Sequence, residues 1–321
     1  MLEGDKRMKA VLIDKITPAE SVTLSEVEIP SVKPGWVLVK VKGFGMNHSE
    51  QLLRLSEIEQ PYIQKPVIPG IECVGEIADA SDTNYKVGQK VIALMGGMGR
   101  SFNGSYAEYA LLPAHHVFSV ESDLDWASLA AVPETYFTAW GSLFECLRLN
   151  KSDVLLIRGA TCALGYAAIQ IAKALGCKVI ATTHRAQKLP LLSEADEAVL
   201  DDGNLSVFVR ATKALDLIGP KYLTDTLRCM YKGGIVCQTG ILGGVYTLNG
   251  FDPIKDIPNG VYLTGFFSNY PTQAIIDEIF AFLGEHKLTP PVGAKFGFGS
   301  IREACAALDG GKVNGKIVVE L

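Results

Sequence analysis

Two rhythms of apolar residues divide the chain. From Lys9 to about Ala114, short β-branched runs alternate with Gly and Pro, and Lys9–Asp14, Trp36–Lys42, Cys73–Ile77 and Lys90–Leu94 each read as a strand of an irregular β domain. Near Leu124 the pattern changes. Asp125 stands where it can cap a helix running through Ala131, and a second helix is expected from about Tyr136. From Lys151 to about Thr264, strands and helices alternate. The spacing predicts strands at Asp153–Arg158, Lys178–Thr183, Glu197–Leu200, Lys213–Ile218 and Gly234–Thr239, with helices at Ala163–Leu175, Gln187–Ser193 and Pro220–Tyr231. Parallel strands need crossover helices, so this alternation implies an α/β fold with a doubly wound parallel sheet covered on both faces. The tail reads as a helix over Thr272–Glu285, a Pro-Pro-Val segment, a helical pattern over Phe298–Asp309 and a last strand Lys316–Leu321. It is expected to return to the first domain, which gives boundaries of 1–124, 125–264 and 265–321.

Composition narrows the function. The 321 residues suffice for about two domains with sizeable cores, and a net charge of −5 without any Lys/Arg cluster argues against a nucleic-acid partner. The seven Cys residues are scattered and never spaced as Cys-x-x-Cys, which argues against both a disulfide framework and a structural zinc knot and favours a reducing compartment. No apolar run approaches the roughly 20 residues that a membrane span needs, so a cytoplasmic protein without a membrane partner is expected. Met8 reads like a natural start, and Met1–Arg7 like an extension without structural meaning.

The segment Val154–Gly165 carries the first candidate chemistry. An apolar strand runs through a small-residue turn into an amphipathic helix, where free backbone N–H groups and the positive end of the helix dipole can hold a pyrophosphate. The usual G-x-G-x-x-G is replaced by Ala160-Thr-Cys162-Ala-Leu-Gly165. Cys162 occupies the position where a missing side chain lets phosphate approach, so a shifted turn, weaker binding or a deflected thiol is expected. About 20 residues after such a turn, an acid would hold the ribose 2′-OH of NAD. Here the strand ends Thr183-His184-Arg185-Ala-Gln-Lys188 with no acid, and Arg185 and Lys188 can pair with a 2′-phosphate, which favours NADP(H).

With these residues in place, Met8–Leu321 resembles a zinc-independent member of the medium-chain dehydrogenase/reductase family, close to the quinone oxidoreductases. The resemblance rests on segments in order: Gly45-Met-Asn47, Ile68-Pro-Gly-Ile-Glu72 with Gly75, Gly104–Glu108, Ala130–Pro133, Thr138-Ala-Trp140, the turn at 159–165, Gly233-Gly234 and Asn314–Ile317. It implies a GroES-like β domain with a Rossmann domain inserted after it. Zinc members carry a Cys, a His-Glu pair and a four-Cys loop. This chain has Asn47 and His48, then Ile71 and Glu72, and lacks the loop, so no metal is expected.

The resemblance also implies the site. Asn47 would lie beside the nicotinamide and the substrate. Thr138, Ala139, Cys162, Ala163, Leu164, Thr183, Arg185 and Lys188 would bind the cofactor. Gly240 and Ile241 would line the ribose, Phe266, Phe267 and Ser268 would meet the carboxamide, and Asn314 and Lys316 would close the cleft. Related reductases place a Tyr a few residues after the Asn, where this chain has Leu52, leaving Tyr62, Tyr136 and Arg54 as proton-donor candidates. The expected activity is hydride transfer from NADPH to a quinone or α,β-unsaturated carbonyl acceptor. An enoyl-thioester reductase and a non-catalytic, redox-sensing NADPH-binding protein remain as alternatives. Gly243–Asn249 has edge-strand composition, from which a homodimer is expected.

Overall fold

The computed structural model describes residues 7–321. The expected extension Met1–Arg7 lies outside them except for Arg7, which opens a strand. Contacts divide the chain into two compact units, Met1–Phe137 with Asn269–Leu321, and Thr138–Ser268.

The first unit begins with an antiparallel pair, β1 (Arg7–Val11) and β2 (Leu24–Glu28). It continues through β3 (Trp36–Met46), helix α1 (His48–Leu55), β4 (Glu72–Asp79), β5 (Lys90–Leu94), β6 (Tyr109–Pro113) and β7 (Val117–Ser119). Helix α2 (Trp126–Ala130) starts where expected, because the Asp125 carboxylate accepts the Ser128 N–H at 2.8 Å. Helix α3 (Pro133–Trp140) begins three residues before Tyr136, since Pro favours a first helical turn.

The second unit carries β8 (Val154–Arg158), α4 (Ala163–Leu175), β9 (Lys178–Thr183), β10 (Glu197–Leu200), β11 (Ala211–Asp216), α5 (Leu223–Arg228), β12 (Met230–Gln238), α6 (Pro253–Asp256) and β13 (Tyr262–Gly265). Its six strands are all parallel in the order β10-β9-β8-β11-β12-β13, the 3-2-1-4-5-6 order of a dinucleotide-binding sheet. Buried on both faces, β8 reads as the continuous run Val-Leu-Leu-Ile. Helix α4 stops at Gly176, whose φ of +89° is the left-handed cap that a side chain would resist.

Three expectations fail here for local reasons. Gln187–Ser193 lies in a 3₁₀ stretch over Ala186–Leu192, where Pro190 removes a helical N–H. The helix expected over Pro220–Tyr231 shrinks to α5, and Met230 and Tyr231 join β12. Gly243–Asn249 forms turns, with Gly244 at φ +71°, so the sheet edge is β13 and not this segment.

The chain then returns through α7 (Gln273–Glu285), β14 (Val292–Gly297), α8 (Ile301–Gly310) and β15 (Lys316–Glu320). β15 pairs antiparallel with β3 and completes the seven-stranded sheet of the first unit, β14-β15-β3-β4-β5-β7, with β6 also on β3. Phe44, Tyr106 and Phe298 pack at the heart of its core.

Candidate functional site

In the first unit, the end of β3 and the start of β15 lie side by side, because Met46 pairs with Ile317. That register brings Asn47 against Lys316. The Lys316 ammonium, 2% exposed, donates to Asn47 Oδ1 at 2.6 Å and to Thr135 Oγ1 at 2.9 Å, and pairs with Glu72 Oε1 at 2.6 Å. Asn47 Nδ2 donates to the same Glu72 Oε1 at 2.8 Å, and Glu72 Oε2 accepts the Glu134 N–H at 2.8 Å. A second buried acid, Glu50, accepts the Asn47 N–H at 2.8 Å and the Ile71 N–H at 3.0 Å. Burial pushes the Glu50 carboxyl up to about 7; the Ile71 N–H opposes this and the neighbouring Glu72 charge adds to it.

The proton-donor candidates fare differently. Tyr62 is exposed and donates to Glu57 Oε1 at 3.0 Å, beside the Arg100–Glu57 ion pair. Arg54 is fully buried, donating to the Thr17 carbonyl and to Asp309 Oδ1, so it is a structural tie and no proton donor for a substrate. Tyr136 is buried within α3. Asn314 is half-buried, and its Oδ1 is shielded without a hydrogen-bond partner. His48 is exposed and shares a hydrogen bond with Gln51.

In the second unit, the turn after β8 sits where the strand order reverses. Gly159 takes φ +84°, and a Cβ there would lie 2.7 Å from Ile218 Cδ1. Gly165 packs so closely that a Cβ would meet the Ala160 carbonyl oxygen at 2.3 Å. Cys162 caps α4: its Sγ accepts the Gly165 N–H at 3.4 Å, so the thiol folds back over the helix start. Burial pushes this thiol up, with the Gly165 and Leu164 N–H groups pulling the other way. Ala163 and Leu164 occupy the first turn, whose N–H groups have no intrahelical partner.

Thr183 is buried at the end of β9, and its Oγ1 lies 3.5 Å from that of Thr161. Beyond it, Arg185 Nε donates to His184 Nε2 at 3.2 Å. Burial and the Arg185 charge lower the Lys188 ammonium, while burial, Arg185, Lys188 and Lys221 lower His184 against the opposing pull of Asp201. Neither Arg185 nor Lys188 forms an ion pair among the described residues.

Gly240 lies against the end of β11, where a Cβ would meet the Leu217 carbonyl oxygen at 2.4 Å, and Ile241 follows it half-buried. Phe266 lies over Gly141, Phe267 is 70% exposed and Ser268 is half-buried, while Thr138 and Ala139 are buried in α3.

Several structural partners escaped the sequence reading. Glu50 was detectable as the third residue after Asn47, the spacing of a capping box. Glu72 and Thr135 join Asn47 only through long-range pairing. Arg158, fully buried at the end of β8, is held by Asp201 at 2.8 Å and Asp225 at 2.9 Å; a cation closing an apolar strand was its local sign.

A GroES-like β unit and a parallel 3-2-1-4-5-6 unit together define the architecture of a two-unit dehydrogenase. Family models described as "Alcohol dehydrogenase GroES-like domain" and "Zinc-binding dehydrogenase" match residues 33–122 and 194–319, and the chain belongs to the medium-chain dehydrogenase/reductase family. It is similar to a quinone oxidoreductase of Homo sapiens, 33% identical over 209 residues covering 61% of this chain and 60% of that protein. It is also similar to one of Sus scrofa, 28% identical over 76% of this chain and 77% of that protein. The chain thus matches less than two thirds of the length of the human relative. Among solved structures, a quinone oxidoreductase from Coxiella burnetii superimposes with a TM-score of 0.84 at 21% identity, covering 98% of this chain and 100% of that one. AibC does so with a TM-score of 0.88 at 23% identity, covering 99% and 97%. These two show the fold. Among the described residues, no three His, Cys, Asp or Glu side chains gather as a metal-binding set, and no helix is long and apolar enough to cross a membrane.

Proposed function

We propose that the protein is an NADPH-dependent oxidoreductase that reduces a quinone or an α,β-unsaturated carbonyl compound without zinc. The observation that carries the cofactor reading is the set of cations past β9. Arg185 and Lys188 crowd each other and His184 with no ion-pair partner of their own, an arrangement that a 2′-phosphate dianion would relieve. An NAD-type acid is absent from Thr183–Lys188. The Ala163 and Leu164 N–H groups suit a diphosphate at a helix N-terminus, although the Cys162 thiol competes for the Leu164 N–H.

A bound NADPH would supply hydride to the acceptor. Asn47 would donate its Nδ2–H to the acceptor oxygen as negative charge builds there, and solvent would deliver the final proton. The names of the relatives support a quinone or a similar electron-poor acceptor. A homodimer and a cytoplasmic setting belong to the same reading. Light scattering in dilute solution checks the first, and a monomer mass alone would refute it.

The direct experiment follows NADPH oxidation by purified, metal-analysed protein with a panel of quinones and enones. Turnover supports the reading. Tight NADPH binding without turnover of any acceptor would favour a non-catalytic NADPH-binding protein.

A further inference from the structure

We infer that Lys316 and Glu72 are positioning residues that fix and polarise the Asn47 amide. This rests on the reading that Asn47 receives the acceptor oxygen.

The Lys316 ammonium donates to Asn47 Oδ1 and Thr135 Oγ1 and is ion-paired with Glu72 Oε1. The amide is fixed in one orientation. Flipped, it would set Nδ2 against the ammonium and Oδ1 against the Glu72 carboxylate, and both contacts would turn repulsive. In the observed orientation, one Nδ2 proton goes to Glu72, and the second has no partner among the described residues. The cation on Oδ1 draws electron density from the amide and makes that second N–H a stronger donor. A positive charge is thereby applied to the acceptor oxygen through a neutral side chain.

The backbone is built for this contact. A Cβ at Gly45 would lie 2.3 Å from Lys316 Cε and 2.6 Å from Glu72 Oε1, so a side chain at this position would push the two apart. Glu72 in turn is braced by the Glu134 N–H, and its own carbonyl by the Ser105 hydroxyl at 2.5 Å.

The test is a double-mutant cycle on full-length protein with NADPH and whichever quinone or enone the wild type reduces. Lys316→Met is expected to lower kcat by about 10- to 100-fold, with the acceptor KM and the NADPH Kd within about threefold. In an Asn47→Ala background, Lys316→Met should change kcat by less than about threefold, because its effect passes through the missing amide. Should Lys316→Met fail to fold, Glu72→Gln/Lys316→Met leaves no unpaired buried charge and answers the same question. Full additivity of the two mutations, or a loss confined to NADPH affinity, would overturn the inference.

A wild type that turns over no acceptor would instead refute the activity reading. The positioning claim then stands or falls on NMR of the Asn47 side-chain amide. Its two protons should be distinct in the wild type, with the one bonded to Glu72 slow to exchange, and that protection should be lost in the Lys316→Met or double variant. Equal protection in both would refute it.

Discussion

The two candidate regions handle charge in opposite ways. Around Asn47, Lys316 and Glu72 pair with each other and with the Asn47 amide while sealed from water. Past β9, Arg185 and Lys188 are half-exposed and lack ion-pair partners among the described residues, with Lys221 adding to the positive field at His184. A closed cluster of this kind contributes geometry at the expense of desolvation, whereas an open set of like charges is unfavourable until an anion arrives. The first is preorganised, and the second would be relieved by an anion.

The sharpest way to break this contrast is to remove a charge from the closed cluster. Lys316→Met alone leaves Glu72 buried and unpaired, and should cost about 3–5 kcal/mol in denaturant unfolding, most of it recovered in Glu72→Gln/Lys316→Met. A loss below about 1 kcal/mol would mean that the cluster is solvated after all. The open set should respond the other way. Arg185→Ala/Lys188→Ala is expected to leave the melting temperature nearly unchanged while weakening NADPH by about 100-fold and NADH by less than about twofold.

Glu50 tests the closed cluster through pH. Unfolded, its carboxyl ionises near 4.5, and folded it keeps its proton up to about 7, so the folded state binds more protons between those values. Stability from this group therefore falls as pH rises through that window and levels off above it, by at most on the order of 3 kcal/mol. Wild type should lose stability relative to Glu50→Gln between pH 5 and pH 8, and a constant difference would show an ordinary carboxyl. The smallest expected effect belongs to the turn. Cys162→Ser replaces a weak sulfur acceptor with a hydroxyl at the α4 N-cap and should raise stability by about 1 kcal/mol or less, read from melting curves.

What could be read from the sequence follows the range of the forces involved. β9, β10 and α4 fall on the expected residues because apolar runs and a Gly stop are local signals. Likewise, Arg185 and Lys188 are neighbours in sequence as well as in space. Gly243–Asn249 misled because its Val, Tyr and Leu carry strand propensity, while Gly244 and the neighbouring turns keep it out of the sheet. Nothing local to Lys316 announced its contacts with Asn47, Glu72 and Thr135. Those three partners come from three distant stretches of chain: the β3–β15 register brings up Asn47, β4 carries Glu72 and α3 carries Thr135.

The open cations of the second unit are proposed to hold NADPH. Calorimetric titration of the metal-analysed protein with NADPH and NADH under identical conditions tests this most directly. NADPH is expected to bind at least about tenfold tighter, a preference that Arg185→Ala/Lys188→Ala removes. Equal affinities, a preference for NADH, or no binding of either would contradict the proposal.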